Sequence, residues 1–127
     1  MNNEQKGEFV YPNQFHSETG VITDVPANYA SRSKLVEGDE LRLFLDNEFK
    51  IKFKQTGPIP RVRKMATIVM EEDGIYLQAY LEETDLYYRI LKQSCTYHKL
   101  QDGDKVVIIL PLDRYTSYCT IDNKITT

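Results

Sequence analysis

The sequence predicts an all-β protein: one small barrel of five or six strands with flexible termini. Three observations carry this. Short runs with period-two alternation recur between residues 41 and 110. No helical pattern is long enough to fill an α/β layer. And a nine-residue pattern occurs twice, as Leu35-Val36-Glu37-Gly38-Asp39-Glu40-Leu41-Arg42-Leu43 and as Leu100-Gln101-Asp102-Gly103-Asp104-Lys105-Val106-Val107-Ile108. In each copy the glycine can take a positive φ without steric cost and the aspartate can accept from backbone amides of the turn. Gly38, Asp39, Gly103 and Asp104 are therefore expected as structural turn residues.

In chain order, residues 1–32 are rich in Asn, Gln, Ser, Thr and Pro and read as a flexible extension, with Gly20-Val21-Ile22-Thr23 as a short piece able to dock. The barrel domain spans residues 33–112. Leu41–Leu45 and Phe49–Phe53 flank Asp46-Asn47-Glu48, a hairpin connection. Met65–Met70 and Ile75–Tyr80 flank Glu71-Glu72-Asp73-Gly74. Leu86–Leu91 follows the turn Glu82-Glu83-Thr84-Asp85, and Lys92–Leu100 has room for one helical turn. Val106–Leu110 is a continuous apolar run closed by Pro111, as in a buried strand. Residues 113–127 turn polar again and read as a loose terminus or a late edge strand. Pairing Leu45 with Phe49 sets Arg42 opposite Lys52, pairing Met70 with Ile75 sets Ile68 opposite Leu77, and pairing Leu81 with Leu86 sets Tyr80 opposite Tyr87.

The chain has 127 residues, 41% of them hydrophobic, enough for one domain with a single core. No apolar run approaches membrane-spanning length, and the start lacks a secretory signal. Two cysteines, Cys95 and Cys119, cannot make a disulfide framework; a reduced, cytoplasmic setting is expected, with a single bridge left open. A formal charge of -3 argues against a protein that coats nucleic acid over its whole surface.

The two nine-residue segments resemble the GD box of cradle-loop barrels, the group of double-psi barrels, RIFT-type barrels and the swapped-hairpin barrels of AbrB-like transcription regulators. The resemblance implies that each box marks a bend between orthogonal strands, tied by its aspartate to a neighbouring strand, and that the barrel consists of two related halves. Outside the boxes the halves do not match in sequence, and the helix that the group places in each half is missing or very short. A small SH3-like barrel therefore stays open as the alternative. The stretch from Val25-Pro26 through Gly57-Pro58-Ile59-Pro60 to Pro111 is also similar to short bacterial proteins without an assigned function, a likeness that carries no site residues. Members of such barrel groups do many things, so the resemblance fixes no activity.

Two constellations could carry function. Residues 49–70 hold six cations and no acid, which leaves -9 on the rest of the chain against the formal total of -3. Lys50, Lys52 and Lys54 alternate along one strand and share a face with Arg42. Like charges opposed across strands cost roughly 0.2–1 kcal/mol, which an anionic partner would relieve. The stiff Gly57–Pro60 loop would hold Arg61, Arg63 and Lys64 ready for phosphate or carboxylate. The bland alternative is a lysine-rich edge that resists aggregation. The second constellation is Tyr76, Tyr80, Tyr87 and Arg89 on one sheet face, suited to a protein partner or a second copy of the chain, unless the tyrosines simply fill the barrel.

Catalytic signals are weak. His16 and His98 stand alone, Cys95 and His98 lack an orienting third group, and the carboxylates cluster in turns. No glycine motif cradles a phosphate, and no metal or cofactor is called for. The expected function is binding without catalysis: a nucleic-acid- or ribonucleoprotein-associated module, or alternatively a protein-interaction or assembly module using the tyrosine face and the tails.

Overall fold

Two runs of the same element order make up the chain. The computed structural model describes residues 4–125. The first run is β1 (Gln5–Val10), β2 (Gln14–Ser17), β3 (Ile22–Asp24), α1 (Ala27–Arg32), β4 (Glu40–Leu45) and β5 (Ile51–Gly57). The second is β6 (Arg61–Met70), β7 (Leu77–Leu81), β8 (Leu86–Ile90), α2 (Lys92–Tyr97), β9 (Lys105–Pro111) and β10 (Tyr118–Lys124). Each run gives three strands, one short helix and two strands. The sheet orders also correspond: β3-β2-β1-β4-β5 in the first half, and β8-β7-β6-β9-β10 in the second. The second half alone closes into a five-stranded barrel, by a parallel pairing of β10 with β8. An all-β barrel is present as expected, but it is built from β6–β10 alone; β4 and β5, inside the expected barrel span of residues 33–112, belong to the separate open sheet, so the barrel does not consist of two related halves.

The two glycine–aspartate turns are built alike. Gly38 has φ 101° and Gly103 φ 92°. Val36 N–H donates to Asp39 Oδ2 at 2.9 Å, and Gln101 N–H to Asp104 Oδ2 at 2.7 Å. Gly38 N–H donates to the Phe9 carbonyl, and Phe9 N–H to the Asp39 carbonyl, each at 2.9 Å. Gly103 and Ile68 repeat the exchange at 2.7 Å, with Ile68 N–H returning to Asp104 at 2.8 Å. The likeness extends upstream, since Lys34 and Lys99 both have φ 52° after the helix ends. The lack of a match outside the boxes therefore holds for side chains and not for backbone. A six-residue helix is too short to persist alone. Here α1 and α2 support each other, with Ser31 and Ser94 hydroxyls bonded at 3.0 Å in a buried contact.

The terminal segments differ from expectation. Residues 5–24 form three strands, with Phe9 and Phe15 fully buried and Val25 buried just after them. They complete a first core with Leu35, Leu41 and Leu43. The segment's polar composition hides this because only alternate residues face inward. At the other end, Tyr118–Lys124 is a barrel strand paired on both sides, with Cys119, Thr120 and Ile121 buried. Residues 1–3 and 126–127, at the tips of the two expected tails, lie outside the described residues. The second core gathers Ile68, Ala79, Leu81, Val106 and Ile108 inside the barrel. Cys95 and Cys119 are both free. No helix among the described residues is long and apolar enough to cross a membrane.

Of the three expected hairpin registers, one matches. Leu81 pairs with Leu86 and Tyr80 with Tyr87. In the other two the partner is shifted by two residues: Leu45 pairs with Ile51, and Met70 with Leu77. A shift of two preserves the alternation, so Leu41, Leu43, Ile68 and Ala79 face the core as expected, while Leu45, Phe49, Ile51, Met70 and Ile75, expected on the same faces, are exposed toward the strand ends.

Candidate functional site

The β4–β5 hairpin owes its register to Asp46. Its Oδ1 accepts from Glu48 N–H at 2.8 Å and Lys50 N–H at 3.0 Å, and Phe49 takes φ 64° to close the loop. The amide of Lys50, then that of Glu48 and the charge of Lys52, hold the Asp46 carboxyl below its ordinary range. This longer turn moves Arg42 opposite Lys54, and Lys52 opposite Phe44, in place of the expected Arg42–Lys52 pair. On its other side Arg42 faces Lys6 of β1, so three cations lie in one row across three strands. Glu40 partly compensates, at 3.4 Å from Lys6 and 3.7 Å from Arg42. Its carboxyl is lowered first by the Thr56 hydroxyl and then by Lys6 and Arg42. Lys50 pairs with Glu48 at 3.1 Å, while Lys52 and Lys54 make no ion pair among the described residues.

The remaining cations of the basic segment are held by distant acids. Arg61 Nη2 donates to Asp39, which is fully buried and also accepts from Gln55 Nε2 and from Ile59 N–H, each at 3.0 Å. Arg63 reaches Asp122 at 3.3 Å, and Lys64 reaches Glu83 at 3.1 Å. Asp122 also holds Lys34 at 2.8 Å, and Lys34 is the first cause of its lowered carboxyl. The stiff Gly57–Pro60 loop thus carries Ile59 and Arg61 to Asp39, tying the end of the first half to the start of the second.

The tyrosine face divides. Tyr80 and Tyr87 rings lie 4.8 Å apart, and Tyr80 donates to Asp85 Oδ1 at 2.8 Å, a bond that raises the Tyr80 hydroxyl. Tyr76 and Arg89 line a separate cleft beside α2.

Sequence reasoning missed the open seam of the first half. β3 and β5 are the two unpaired edges of its sheet. Between them Val21, Thr23, Leu43, Leu45 and Ile51 line a cavity of about 530 Å³. Val21, Leu45 and Ile51 are exposed there, and Phe49 at the hairpin tip is 82% exposed. Gln5 also lines the cavity, and its buried Oε1 has no hydrogen-bond partner. A faint signal in the sequence was the apolar pair Val21-Ile22 within a polar segment.

Nothing convergent surrounds the isolated nucleophiles. Burial raises the Cys95 and Cys119 thiols, so neither is a ready thiolate. Burial, then the charge of Lys34, lowers His98, whose Nε2 is buried without a partner. His16 lies on the sheet and contacts the Gln14 side chain at 3.1 Å. Among the described residues no group of three His, Cys, Asp or Glu side chains is placed to hold a metal.

No protein-family model matches the chain, and no curated protein or solved structure matches it.

Proposed function

We propose that the chain is a non-catalytic binding module whose first half accepts an extended strand from a protein partner. The observation that carries this is the open seam. Two unpaired strand edges border a cavity lined by Val21, Leu43, Leu45 and Ile51 together with Glu4, Gln5 and Thr23, while the second half closes the corresponding gap with its own strands. Strand addition at β5 would supply hydrogen bonds to its free edge and apolar side chains to the cavity. The partner's chemistry follows from β5. Inward positions meet Leu45 and Ile51 and should be apolar, and outward positions lie beside Lys52 and Lys54 and should be acidic. A donor reaching Gln5 Oε1 would satisfy an acceptor whose burial costs roughly 1–3 kcal/mol. A second copy is disfavoured as partner, because pairing β5 with itself would bring lysines together. The closed barrel and its glycine–aspartate turn are consistent with the likeness to GD-box barrels, and two free thiols suit a cytoplasmic setting.

The test is titration with a labelled heptapeptide alternating Val and Glu, followed by fluorescence anisotropy. Saturable binding is expected, with none to the Val/Lys counterpart, and Ile51→Asp should abolish it. Equal affinity of wild type and Ile51→Asp would sink the reading.

A second reading rests on the row Lys6–Arg42–Lys54 with Lys52 beside it: contact with nucleic-acid phosphates. It calls for retention on nucleic acid that weakens steeply with salt, that Lys52→Glu with Lys54→Glu abolishes and that Ile51→Asp spares. No retention at low ionic strength would dismiss it. The Ile51 variant thus separates the two readings.

A further inference from the structure

A cavity larger than that of the open seam belongs to the other half. It measures about 730 Å³ and lies where the end of β6, the start of β7, the end of β8 and the start of β10 approach α2. Pro12, from the β1–β2 turn of the first half, completes its rim. Its walls differ from those of the open seam. Tyr118 stacks on Tyr11 at 5.9 Å and 27°, which fixes one aromatic wall. Ile75 and Tyr76 also line the cavity and are largely exposed, an apolar surface left to solvent. Ile90, Leu91 and Cys95 contribute the buried side.

Two cations, Arg89 and Lys92, also line the cleft, and neither has an acidic partner among the described residues. Other cations, Lys6, Lys34, Arg61 and Lys64 among them, lean on an acid, whereas Arg89 and Lys92 line the cleft without one among the described residues. Arg89 is held in place at its backbone: its N–H donates to the Ser117 carbonyl at 2.8 Å, and it sits opposite Tyr118 in the pairing that closes the barrel. Glu71 is the single acid of the lining, so the cleft is net positive in a chain of net charge -3. A concave, mostly apolar site with a few convergent polar groups, of roughly 300–1,000 Å³, is the usual form of a small-molecule pocket.

We propose that this cleft binds a small aromatic anion, its ring between Tyr76 and Tyr118 and its carboxylate, sulfonate or phosphate at Arg89 and Lys92. Two cations in one largely apolar cleft match a ligand of that polarity, and a neutral aromatic would leave both charges unmatched. The site is independent of the strand-accepting seam, which lies in the first half and lacks these residues.

The probes are 8-anilinonaphthalene-1-sulfonate and its neutral counterpart N-phenyl-1-naphthylamine. Both are titrated into the full chain carrying Ile51→Asp, which puts a negative charge into the open seam and disfavours the sulfonate there. One saturable site is expected, with the sulfonate bound about ten-fold more tightly than the neutral probe. Arg89→Ala with Lys92→Ala, both at exposed positions, should bring the two affinities together while leaving the melting curve unchanged. The sulfonate should also slow alkylation of Cys95 by iodoacetamide in proportion to occupancy, since Cys95 lines the cleft and Cys119 is fully buried. Equal affinity for the two probes, a ten-fold preference that survives the double substitution, or Cys95 alkylation unaffected at saturation would each overturn the assignment.

Discussion

The two halves share an element order and differ in one connection. β10 reaches β8 and closes a barrel, and β5 does not reach β3. The contrast has local causes. β8 has five residues and β3 three. Leu91 follows β8, whereas the corresponding residue after β3 is Pro26, which has no N–H to extend a ladder. β10 is covered on its outer face by the first half, with Tyr11 and Thr120 hydroxyls 2.6 Å apart and Thr120 donating to the Leu35 carbonyl at 2.6 Å. β5 carries Lys52 and Lys54 into solvent instead. One backbone plan thus gives a sealed half and a half with a usable edge, and the difference lies in a proline, two residues of strand and the side chains at the seam.

The largest expected effect compares the two turn aspartates. Asp39 is fully buried and accepts from Val36, Gln55, Ile59 and Arg61. Its removal leaves the Arg61 guanidinium without its partner in a half-buried site, so Asp39→Ala should cost about 3–5 kcal/mol in urea unfolding. Asp104 accepts from Gln101 and meets Lys124 at 3.2 Å near the surface. Asp104→Ala should cost only about 1 kcal/mol. Equal losses would mean that the first turn is not the junction of the halves.

The next effect tests how each half fills its core. Gly7 in β1 and Ala66 in β6 hold corresponding places, opposite Leu41 and Val106. A Cβ on Gly7 would lie 2.4 Å from the His16 carbonyl and 2.7 Å from the Phe15 ring. The place of Phe15 is taken in the second half by Ala79. Large beside small in one half thus answers small beside small in the other. Gly7→Ala should destabilise by about 1–3 kcal/mol through overpacking. Ala66→Gly should lose about 0.5–1 kcal/mol through backbone entropy, a smaller loss if the two cores are packed as described.

These pairs also explain what could be read in advance. Leu41, Leu43, Ile68, Ala79 and Leu81 alternate cleanly, so the inward faces were legible. The register at Leu81–Leu86 followed from its turn. The other two hairpins shifted because Asp46 and Phe49 build a longer loop than the residue types suggest, and Glu71–Tyr76 does likewise. The duplication was legible only at the glycine–aspartate turns, since Gly7 against Ala66 and Phe15 against Ala79 preserve geometry without preserving residues. The cations were legible as residue types, but Asp39, Asp122 and Glu83 lie far from Arg61, Arg63 and Lys64 in sequence. The unpaired edge left only faint marks, the apolar pair Val21-Ile22 and the alternating lysines of β5.

The cap of α2 offers a pH-dependent comparison. His98 ends α2 where Ser33 ends α1. Burial and Lys34 hold His98 below its ordinary value, so the unfolded chain binds this proton more readily than the folded one. Stability should therefore be retained above the ordinary histidine pKa of 6.5 and fall as the pH drops through it. The carboxylates lowered by their partners, Asp122 among them, lose their contribution only at more acidic pH. Melting temperature followed from pH 8 to 5 should show the first decline, and His98→Gln should remove it. A decline that persists in His98→Gln would assign it elsewhere.

The smallest effect runs toward greater stability. Lys54 faces Arg42 across the hairpin and makes no ion pair of its own among the described residues. Lys54→Glu turns a repulsive cross-strand pair into an attractive one and should stabilise by roughly 0.2–1 kcal/mol. The same substitution should weaken the Val/Glu peptide, because it places a negative charge on the edge that the peptide's carboxylates approach. Stability and binding are then expected to move in opposite directions at a single exposed residue. That is the pattern of a charge kept for a partner, since a lysine serving only to keep the edge soluble could be exchanged for glutamate without loss of binding. A Lys54→Glu protein that is both more stable and equally good at binding peptide and nucleic acid would reduce the β5 lysines to edge protection. It would leave the closed and open halves differing in geometry alone.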